Sequence, residues 1–565
     1  MKKRLVIIGG VAAGPKAAAK AQRCDPEMEI VIYQEEGEIS YSGCGLPYYV
    51  GGVIPERKKL LIKSAEQFSK DGIQVLKRHR VDHLDLHKRR VSGQNLTTGQ
   101  PFADTYDRLV IATGSEVIRP KVPGLDLGNV FQLHSIYDAD AILPKVQSSE
   151  VKNVVVVGGG YIGLEMAEAL TALGKKITIL ELAPQIATLF DEDLAGTLRQ
   201  YIEKKGITVF ISEGLEGLRG ENGTIRQVQT SKREIPADVV LLSLGVRPRV
   251  DLARQAGLKI GKTGAIWVNE FMETSAPGVY AAGDCAETTH LVTGKKTWIP
   301  LGSTANKQGR TAGMNLCGGR SVFPGVLGTA IFKVFDFNVA KTGLNMKEAL
   351  REGFEPLQAI VRGYGRAHIM PGGRESILKV IADQKSGRVL GAQAMGEGPS
   401  DKFIDTVAMA LQGRMTCAQL ATADLAYSPP FSPALSPVIV AANVLLNKLE
   451  GKVGWLSAAE VKEIMETGKN GFAILDVRDS KEVQEKRIPG SIWIPLEELE
   501  SRVGELDRDK QLAVHCHSGA RSYRACLKLQ HRKFKEVRNV DGGLLCWCYD
   551  LETKDGGKLP ARKDE

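Results

Sequence analysis

No apolar run in this 565-residue chain approaches the ~20 residues that a helix needs to cross a bilayer, so a membrane-spanning bundle is excluded. The start, Met1-Lys2-Lys3-Arg4, is positive, but only Leu5-Val6-Ile7-Ile8 separates it from Gly9. That stretch is too short for the apolar centre of a secretory signal and reads as a strand. Cysteine is sparse, with nine at positions 24, 44, 285, 317, 417, 516, 526, 546 and 548. Their odd number and the lack of paired metal-ligand spacings argue against a disulfide framework or a zinc knuckle; no metal is expected. A reducing cytoplasm, with one or two chemically active thiols, is the expectation. The basic runs lack interleaved aromatics, which removes nucleic acid as a partner. Seventy-five basic and 66 acidic residues leave +9, spread along the chain. A solvated surface accounts for that excess, and a preference for polyanionic small ligands is the sharper reading.

Glycine, in contrast, is plentiful, at 61 residues. That suits several loops where backbone approaches a phosphate. At about 150 residues per domain the length implies three to four domains. Two strand-glycine-helix units are visible. Leu5-Val6-Ile7-Ile8 runs into Gly9-Gly10-Val11-Ala12-Ala13-Gly14 and an alanine-rich helix. Val154-Val155-Val156-Val157 runs into Gly158-Gly159-Gly160-Tyr161-Ile162-Gly163 and a second helix. Strands alternating with helices predict doubly wound parallel sheets.

The second loop fills G-x-G-x-x-G with Gly158, Gly160 and Gly163. That spacing permits a tight turn, close approach of a pyrophosphate and helix packing. The next strand, Ile177-Thr178-Ile179-Leu180, ends at Glu181. A carboxylate there accepts a ribose 2′-hydroxyl and repels a 2′-phosphate, which favours NADH over NADPH. In the first loop Val11 replaces the middle glycine, and after Ile30-Val31-Ile32-Tyr33 either Gln34 or Glu35 is placed to meet a ribose. Tyr106 to Gly114, which includes Thr113, and Gly278 to Asp284 look like the paired segments of two-dinucleotide-binding flavoproteins. On that resemblance the first fold holds FAD, with Asp284 toward its ribityl and phosphate end. The second fold, inserted between the halves of the first, holds NADH.

Cys44 lies in Ser40-Tyr41-Ser42-Gly43-Cys44-Gly45-Leu46-Pro47-Tyr48-Tyr49, and the next cysteine is Cys285. It therefore works alone, as a thiolate stabilised by a helix N-terminus and an oxidised flavin, cycling through a mixed disulfide or a sulfenic acid. A buried structural thiol is the alternative. Gly9 to Gly14, Ser40 to Tyr49, Pro300 to Arg310, Gly328-Thr329-Ala330 and Tyr427-Ser428-Pro429-Pro430 together resemble the coenzyme A-disulfide reductases, and specifically the fused coenzyme A-disulfide or NADH-dependent persulfide reductases. The resemblance implies a lone redox cysteine, Cys44, exchanging with the thiol of coenzyme A. It implies cofactor contacts at Gly9, Gly10, Gly14, Thr113, Gly114, Gly245, Asp284, Leu301 and Ala305. It places coenzyme A against Lys16, Lys20, Arg23, Ser40, Gly43 and Asn306, and gives Tyr427 a catalytic role. It also implies homodimers formed through a third domain. The chain departs from the family at Gly43, where asparagine is usual, and at Met370 and Phe431, where tyrosines are expected. Tyrosine hydroxyls there would help protonate a leaving coenzyme A thiolate, so their loss favours a persulfide or polysulfide with its better leaving group.

Near the C-terminus Leu512-Ala513-Val514-His515 delivers Cys516 into a six-residue loop closing on Arg521. Successive N–H groups around such a loop and a following helix form an anion nest. The spacing also occurs in phosphatase-like loops. Asp476-Val477-Arg478, Arg487-Ile488-Pro489-Gly490-Ser491 and Gly542-Gly543 with Trp547 are similar to the rhodanese pattern, which implies a sulfur carrier at Cys516 with Arg521 in its loop. Cys546 and Cys548 read as alternation along a strand, with an auxiliary sulfur acceptor as the functional alternative.

The expected architecture is α/β: two Rossmann-like dinucleotide-binding folds, an α+β dimerisation domain and a C-terminal rhodanese-like α/β domain. The boundaries expected are 1–115 with 240–325 for FAD, 116–239 for NADH, 326–448 for dimerisation and 453–565 for the rhodanese. The expected activity is FAD- and NADH-dependent reduction of coenzyme A persulfide, polysulfide or disulfide at Cys44, coupled to sulfur transfer at Cys516. An NADH oxidase or peroxidase cycling Cys44 through sulfenic acid is the rival on the same scaffold. A non-catalytic sulfur carrier or redox sensor is the rival from another class.

Overall fold

A computed structural model describes residues 2–468, 471–553 and 558–559, so the last residues of the expected 453–565 domain lie outside the described residues. The chain forms two compact units, Met1–Ile179 with Gly214–Val326, and Leu180–Glu213 with Leu327–Glu565.

The first unit is built on a five-stranded parallel sheet in the order Val279–Ala281, Arg108–Ile111, Arg4–Ile8, Glu29–Gln34, Ile73–Lys77. Leu5, Val6 and Ile7 have no exposed surface, because both faces of the central strand are covered. Helix Ala13–Cys24 turns Ala17, Ala18 and Ala21 inward. Helix Gly302–Asn315 lies so close to it that a Cβ on Gly309 would sit 2.3 Å from the carbonyl oxygen of Ala13. In the second sheet Asn153–Val157 pairs in parallel with Val239–Leu242, which pairs in turn with Val130–Gln132. The chain thus leaves the first sheet after Arg108–Ile111 and returns to it at Val279–Ala281, an insertion of one nucleotide fold into another.

The second unit holds an antiparallel sheet in the order Ala330–Val334, Phe337–Gly343, Val389–Gly396, Glu375–Asp383, Pro356–Tyr364. Helices Ser400–Gln412 and Pro437–Leu449 pack on it through Phe403, Val407, Val438 and Ala442, all buried. A parallel sheet follows, in the order Gly454–Leu456, Glu536–Val540, Gln511–His515, Phe472–Asp476, Ile492–Trp493. The stretch Leu180–Glu213 lies within the nucleotide domain expected at 116–239, yet it groups with this second unit. Within that unit a buried charge cluster ties the stretch to the antiparallel sheet: Lys379 Nζ lies 2.9 Å from carboxylate oxygens of both Asp191 and Asp193. Gln393 Nε2 also donates to Asp191 Oδ2 at 2.7 Å. A lysine with 2% side-chain exposure is tolerable only with such partners. Among the described residues no helix is long and apolar enough to cross a membrane, and no His/Cys/Asp/Glu cluster has the make-up of a metal site.

Candidate functional site

Cys44 occupies a single 3₁₀ turn, Gly43–Gly45, that opens into the short helix Leu46–Val50. Its sulfur faces the first residue of helix Gly302–Asn315: a Cβ added to Gly302 would lie 4.0 Å from Sγ. The positive end of that fourteen-residue helix favours a thiolate. Against it, the crowding around Sγ and the negative charges of Glu165 and Asp284 raise the thiol above its ordinary value, although the residue is exposed at its surface. The protein's own groups thus pull the thiol in both directions.

Glu165 is the residue that sequence reasoning passed over. It lies on helix Tyr161–Ala172, and its carboxyl is pushed up to about 7, first by burial and then by Glu168, with a hydrogen bond from Tyr48 opposing. Tyr48 stands one turn beyond Cys44 on the adjoining helix and shares that hydrogen bond. Thiol, phenol and a carboxyl titrating near neutrality therefore form one cluster. The signal available in the sequence was a pair of acids three apart, Glu165 and Glu168, on a helix otherwise burying Leu164, Met166, Ala167 and Leu170.

Both glycine loops have the sterics of a dinucleotide cradle. Gly9 takes φ +108° with a would-be Cβ 2.0 Å from the Ala112 oxygen, and Gly14 would clash at 2.0 Å with the Gly9 oxygen. Gly158 and Gly163 repeat the pattern, against Ser243 and Gly158 oxygens at 2.3 and 2.1 Å. Gly160, the N-cap of helix Tyr161–Ala172, has nothing within 4 Å of its would-be Cβ, so its backbone is open to approach. In the first fold Gln34 is buried, and its Oε1 accepts the Gly10 N–H at 2.8 Å. Glu35 pairs with Arg249 at 2.8 Å. Asp284 accepts a hydrogen bond from the Ser115 hydroxyl at 3.2 Å, and its carboxyl is raised by burial. Thr113 donates to the Arg249 carbonyl, while Gly114 and Gly245 take φ of +72° and +87°. Ala305 is buried and Leu301 caps helix Gly302–Asn315. Glu181 follows strand Lys176–Leu180, and its Oε1 accepts the Ala183 N–H at 2.8 Å.

Lys16, Lys20 and Arg23 share one face of helix Ala13–Cys24 at spacings of four and three. Ser40 is buried with φ +51° and donates its N–H to the Gly10 carbonyl. Gly43 is open, and Asn306 is an exposed residue whose amide donates to the Gly302 carbonyl at 2.9 Å.

In the second unit, Tyr427 and Phe431 are exposed, and the Ala367 N–H donates to the Pro429 carbonyl at 2.9 Å, which ties the loop carrying Met370 to the loop carrying Phe431. Cys516 directly follows strand Gln511–His515 and is 1% exposed. The Gly519 N–H points at its sulfur at 3.2 Å and the Ser522 hydroxyl at 3.4 Å, with Gly519 left-handed at φ +98° to begin helix Ala520–His531. Arg521 instead holds Glu482 with two hydrogen bonds of 2.6 and 2.7 Å. Burial pushes the Glu482 carboxyl up, but these bonds outweigh it and hold it at about 2. His515 is fully buried with Nε2 3.6 Å from Asp476 Oδ2, and burial outweighs that carboxylate and lowers the imidazole to about 4, so it is neutral. Arg478 is locked onto Asp476 by paired bonds. Cys546 and Cys548 sit at and just after the turn Gly543–Cys546, not along a strand, and both are buried.

Comparison with known proteins agrees with this architecture. Residues 3–309 match the family model of pyridine nucleotide-disulphide oxidoreductases, residues 329–438 match the dimerisation domain of those enzymes, and residues 457–550 match the rhodanese-like domain. A Pyrococcus horikoshii protein described as an NAD(P)H coenzyme A polysulfide/persulfide reductase is 39% identical over 446 residues, spanning 79% of this chain and 99% of its own. The NAD-dependent persulfide reductase from A. fulgidus superposes with a TM-score of 0.91 at 40% identity, over 96% of this chain and all of that one. The reduced CoADR-RHD of Bacillus anthracis gives 0.92 at 34% identity, over 97% and 98%. The chain belongs to the pyridine nucleotide-disulphide oxidoreductases, a family of FAD- and NAD(P)H-dependent enzymes, and carries a rhodanese-like domain behind its dimerisation domain.

Proposed function

We propose that this chain is a cytoplasmic, homodimeric reductase that uses NADH to reduce coenzyme A persulfide or polysulfide at Cys44, and that Cys516 carries sulfane sulfur. The observation that carries the reading is a single thiol at a helix N-terminus beside a carboxyl that titrates near 7. Residues shaped like a dinucleotide cradle support it: Gly9, Gly10 and Gly14 with Asp284 would hold FAD, and Gly158, Gly160 and Gly163 with Glu181 would hold NADH. Gln34 is engaged on Gly10 and Glu35 on Arg249; of the two we assign the ribose of the first fold to the carboxylate, Glu35. The chemistry supplied by bound FAD is passage of two electrons from NADH to sulfur.

Cys44 thiolate attacks the inner sulfur of the persulfide, forming a Cys44–coenzyme A mixed disulfide and expelling hydrosulfide. Two electrons then cleave that disulfide, returning the Cys44 thiolate and releasing coenzyme A thiolate. Glu165, protonated near neutral pH, delivers the proton that coenzyme A carries away, through Tyr48 or directly. The cationic face of Lys16, Lys20 and Arg23 suits the phosphates of that ligand.

The test is mass spectrometry of gently denatured protein after exposure to coenzyme A persulfide, alongside NADH consumption. A coenzyme A adduct confined to Cys44, with steady NADH turnover, is expected. NADH consumed only with oxygen and a Cys44 sulfenic acid would establish the oxidase instead. Binding without turnover would establish a carrier.

A further inference from the structure

Lys448 stands in the last turn of helix Pro437–Leu449, on the dimerisation side of the second unit. Its Nζ lies 2.8 Å from Asp541 Oδ2, and the two side chains are only 7% and 4% exposed. Nζ also donates to the Gln358 carbonyl at 2.6 Å and sits 4.4 Å from the centre of the Trp455 ring. Desolvation is the largest influence on this lysine and lowers it, while Asp541 opposes. A buried pair of this kind contributes little to net stability against an apolar replacement, so its use is to be sought in what it holds in place.

What it holds is the support of the Cys516 loop. The Asp541 N–H donates to the Leu456 carbonyl at 2.8 Å, and the next two residues, Gly542 and Gly543, are both left-handed, at φ +69° and +51°. A Cβ on Gly543 would come within 2.3 Å of the Cys516 carbonyl oxygen, so the segment runs directly against the loop. The Leu544 and Leu545 N–H groups then donate to the carbonyls of Cys516 and His517 at 3.1 and 3.0 Å. Both carbonyls are thereby engaged on that segment, while the Gly519 N–H addresses the sulfur. Strand Pro356–Tyr364 completes the wall: Gln358 supplies the carbonyl on Lys448, and Ile360 lies 3.0 Å from the would-be Cβ of Gly542.

We propose that Lys448 is a positioning residue for the Cys516 site, acting through Asp541 and the Gly542–Leu545 segment, so that the sulfur-carrying loop is built by two domains. The proposal rests on the sulfur-transfer reading of Cys516. The carboxylate it fixes is the start of the segment that sets the carbonyls of residues 516 and 517, and the direction of those peptides decides where the loop's N–H groups point.

The experiment uses full-length protein carrying K448M, K448R or K448M/D541N. The readouts are sulfur transfer from thiosulfate to cyanide, and the rate of Cys516 alkylation by iodoacetamide across pH, read on the Cys516 peptide by mass spectrometry. A misplaced catalytic group costs on the order of tenfold or more, so K448M should lower kcat and the alkylation rate by about that factor with KM little changed. K448R, which keeps the charge, should recover most of the loss, and NADH-driven reduction at Cys44 should stay near wild type. Wild-type kcat and alkylation in folded K448M would overturn the proposal. Should K448M not fold, K448M/D541N removes both charges at once; slowed alkylation in that variant supports the proposal and an unchanged rate overturns it. A wild type that moves no sulfur from thiosulfate would refute the sulfurtransferase reading, while the alkylation rates would still decide the role of Lys448.

Discussion

Replacing Glu165 with glutamine tests the chemistry around Cys44 most directly. The carboxyl is raised from its ordinary 4.5 to about 7, so the folded protein disfavours the carboxylate by about 3 kcal/mol at ~1.4 kcal/mol per pH unit. The sign follows from linkage: an acid raised on folding costs nothing below pH 4.5. It costs progressively more up to about pH 7, and a constant amount above. The Glu165→Gln protein should therefore match wild type in urea denaturation at pH 4.5 and be more stable at pH 8, by at most about 3 kcal/mol. Because the Glu165 charge also raises the Cys44 thiol, removing it should move the midpoint of Cys44 alkylation downward, so that the thiol reacts faster at any pH between 7 and the wild-type midpoint. Catalysis should move the other way. With its proton donor gone, NADH-dependent persulfide turnover should fall about 10²-fold and lose the limb near pH 7 expected of the wild type. An alkylation midpoint that stays put, together with a retained limb near pH 7, would refute the assignment.

Glu181→Arg should weaken NADH use and improve NADPH use, because a ribose acceptor is lost and a phosphate partner gained; an unmoved ratio of kcat/KM values would remove Glu181 from the site. Cys44→Ser should abolish NADH-dependent reduction and spare sulfur transfer from thiosulfate, and Cys516→Ser should do the reverse, whereas loss of both activities in either variant would mean a single obligatory relay. The Met370→Tyr/Phe431→Tyr double variant should raise turnover of coenzyme A disulfide selectively over the persulfide, since the two loops are tied through Ala367 and Pro429 and a hydroxyl on each supplies acid help. A double variant that accelerates neither substrate would mean that protonation of the leaving thiolate is not limiting.

The parts of this molecule legible from sequence are those whose physics is local. Gly14 and Gly163 are required by the Gly9 and Gly158 carbonyls five residues earlier in their own strand-turn-helix units, and although Gly9 and Gly158 themselves meet Ala112 and Ser243 at the ends of neighbouring strands, the spacing within each unit announces the cradle. The Cys516 loop is local in the same way, since strand, loop and helix are consecutive. Cys546 and Cys548 mislead because alternation was the only local cue, and the two left-handed glycines before them turn the chain instead of extending it. Gln34 and Glu35 stay ambiguous in sequence because their spacing does not show their partners, Gly10 for Gln34 and Arg249 for Glu35. Glu165 is invisible for a stronger reason: nothing within its own helix raises its carboxyl as much as burial does, and its hydrogen-bond partner Tyr48 is more than a hundred residues away. The same holds for Lys379 with Asp191 and Asp193. A motif marks where a backbone must approach a ligand, but the proton inventory of the site is set by which side chains the fold buries together. The lone Cys44 could be read from the sequence, and the acid beside it could not.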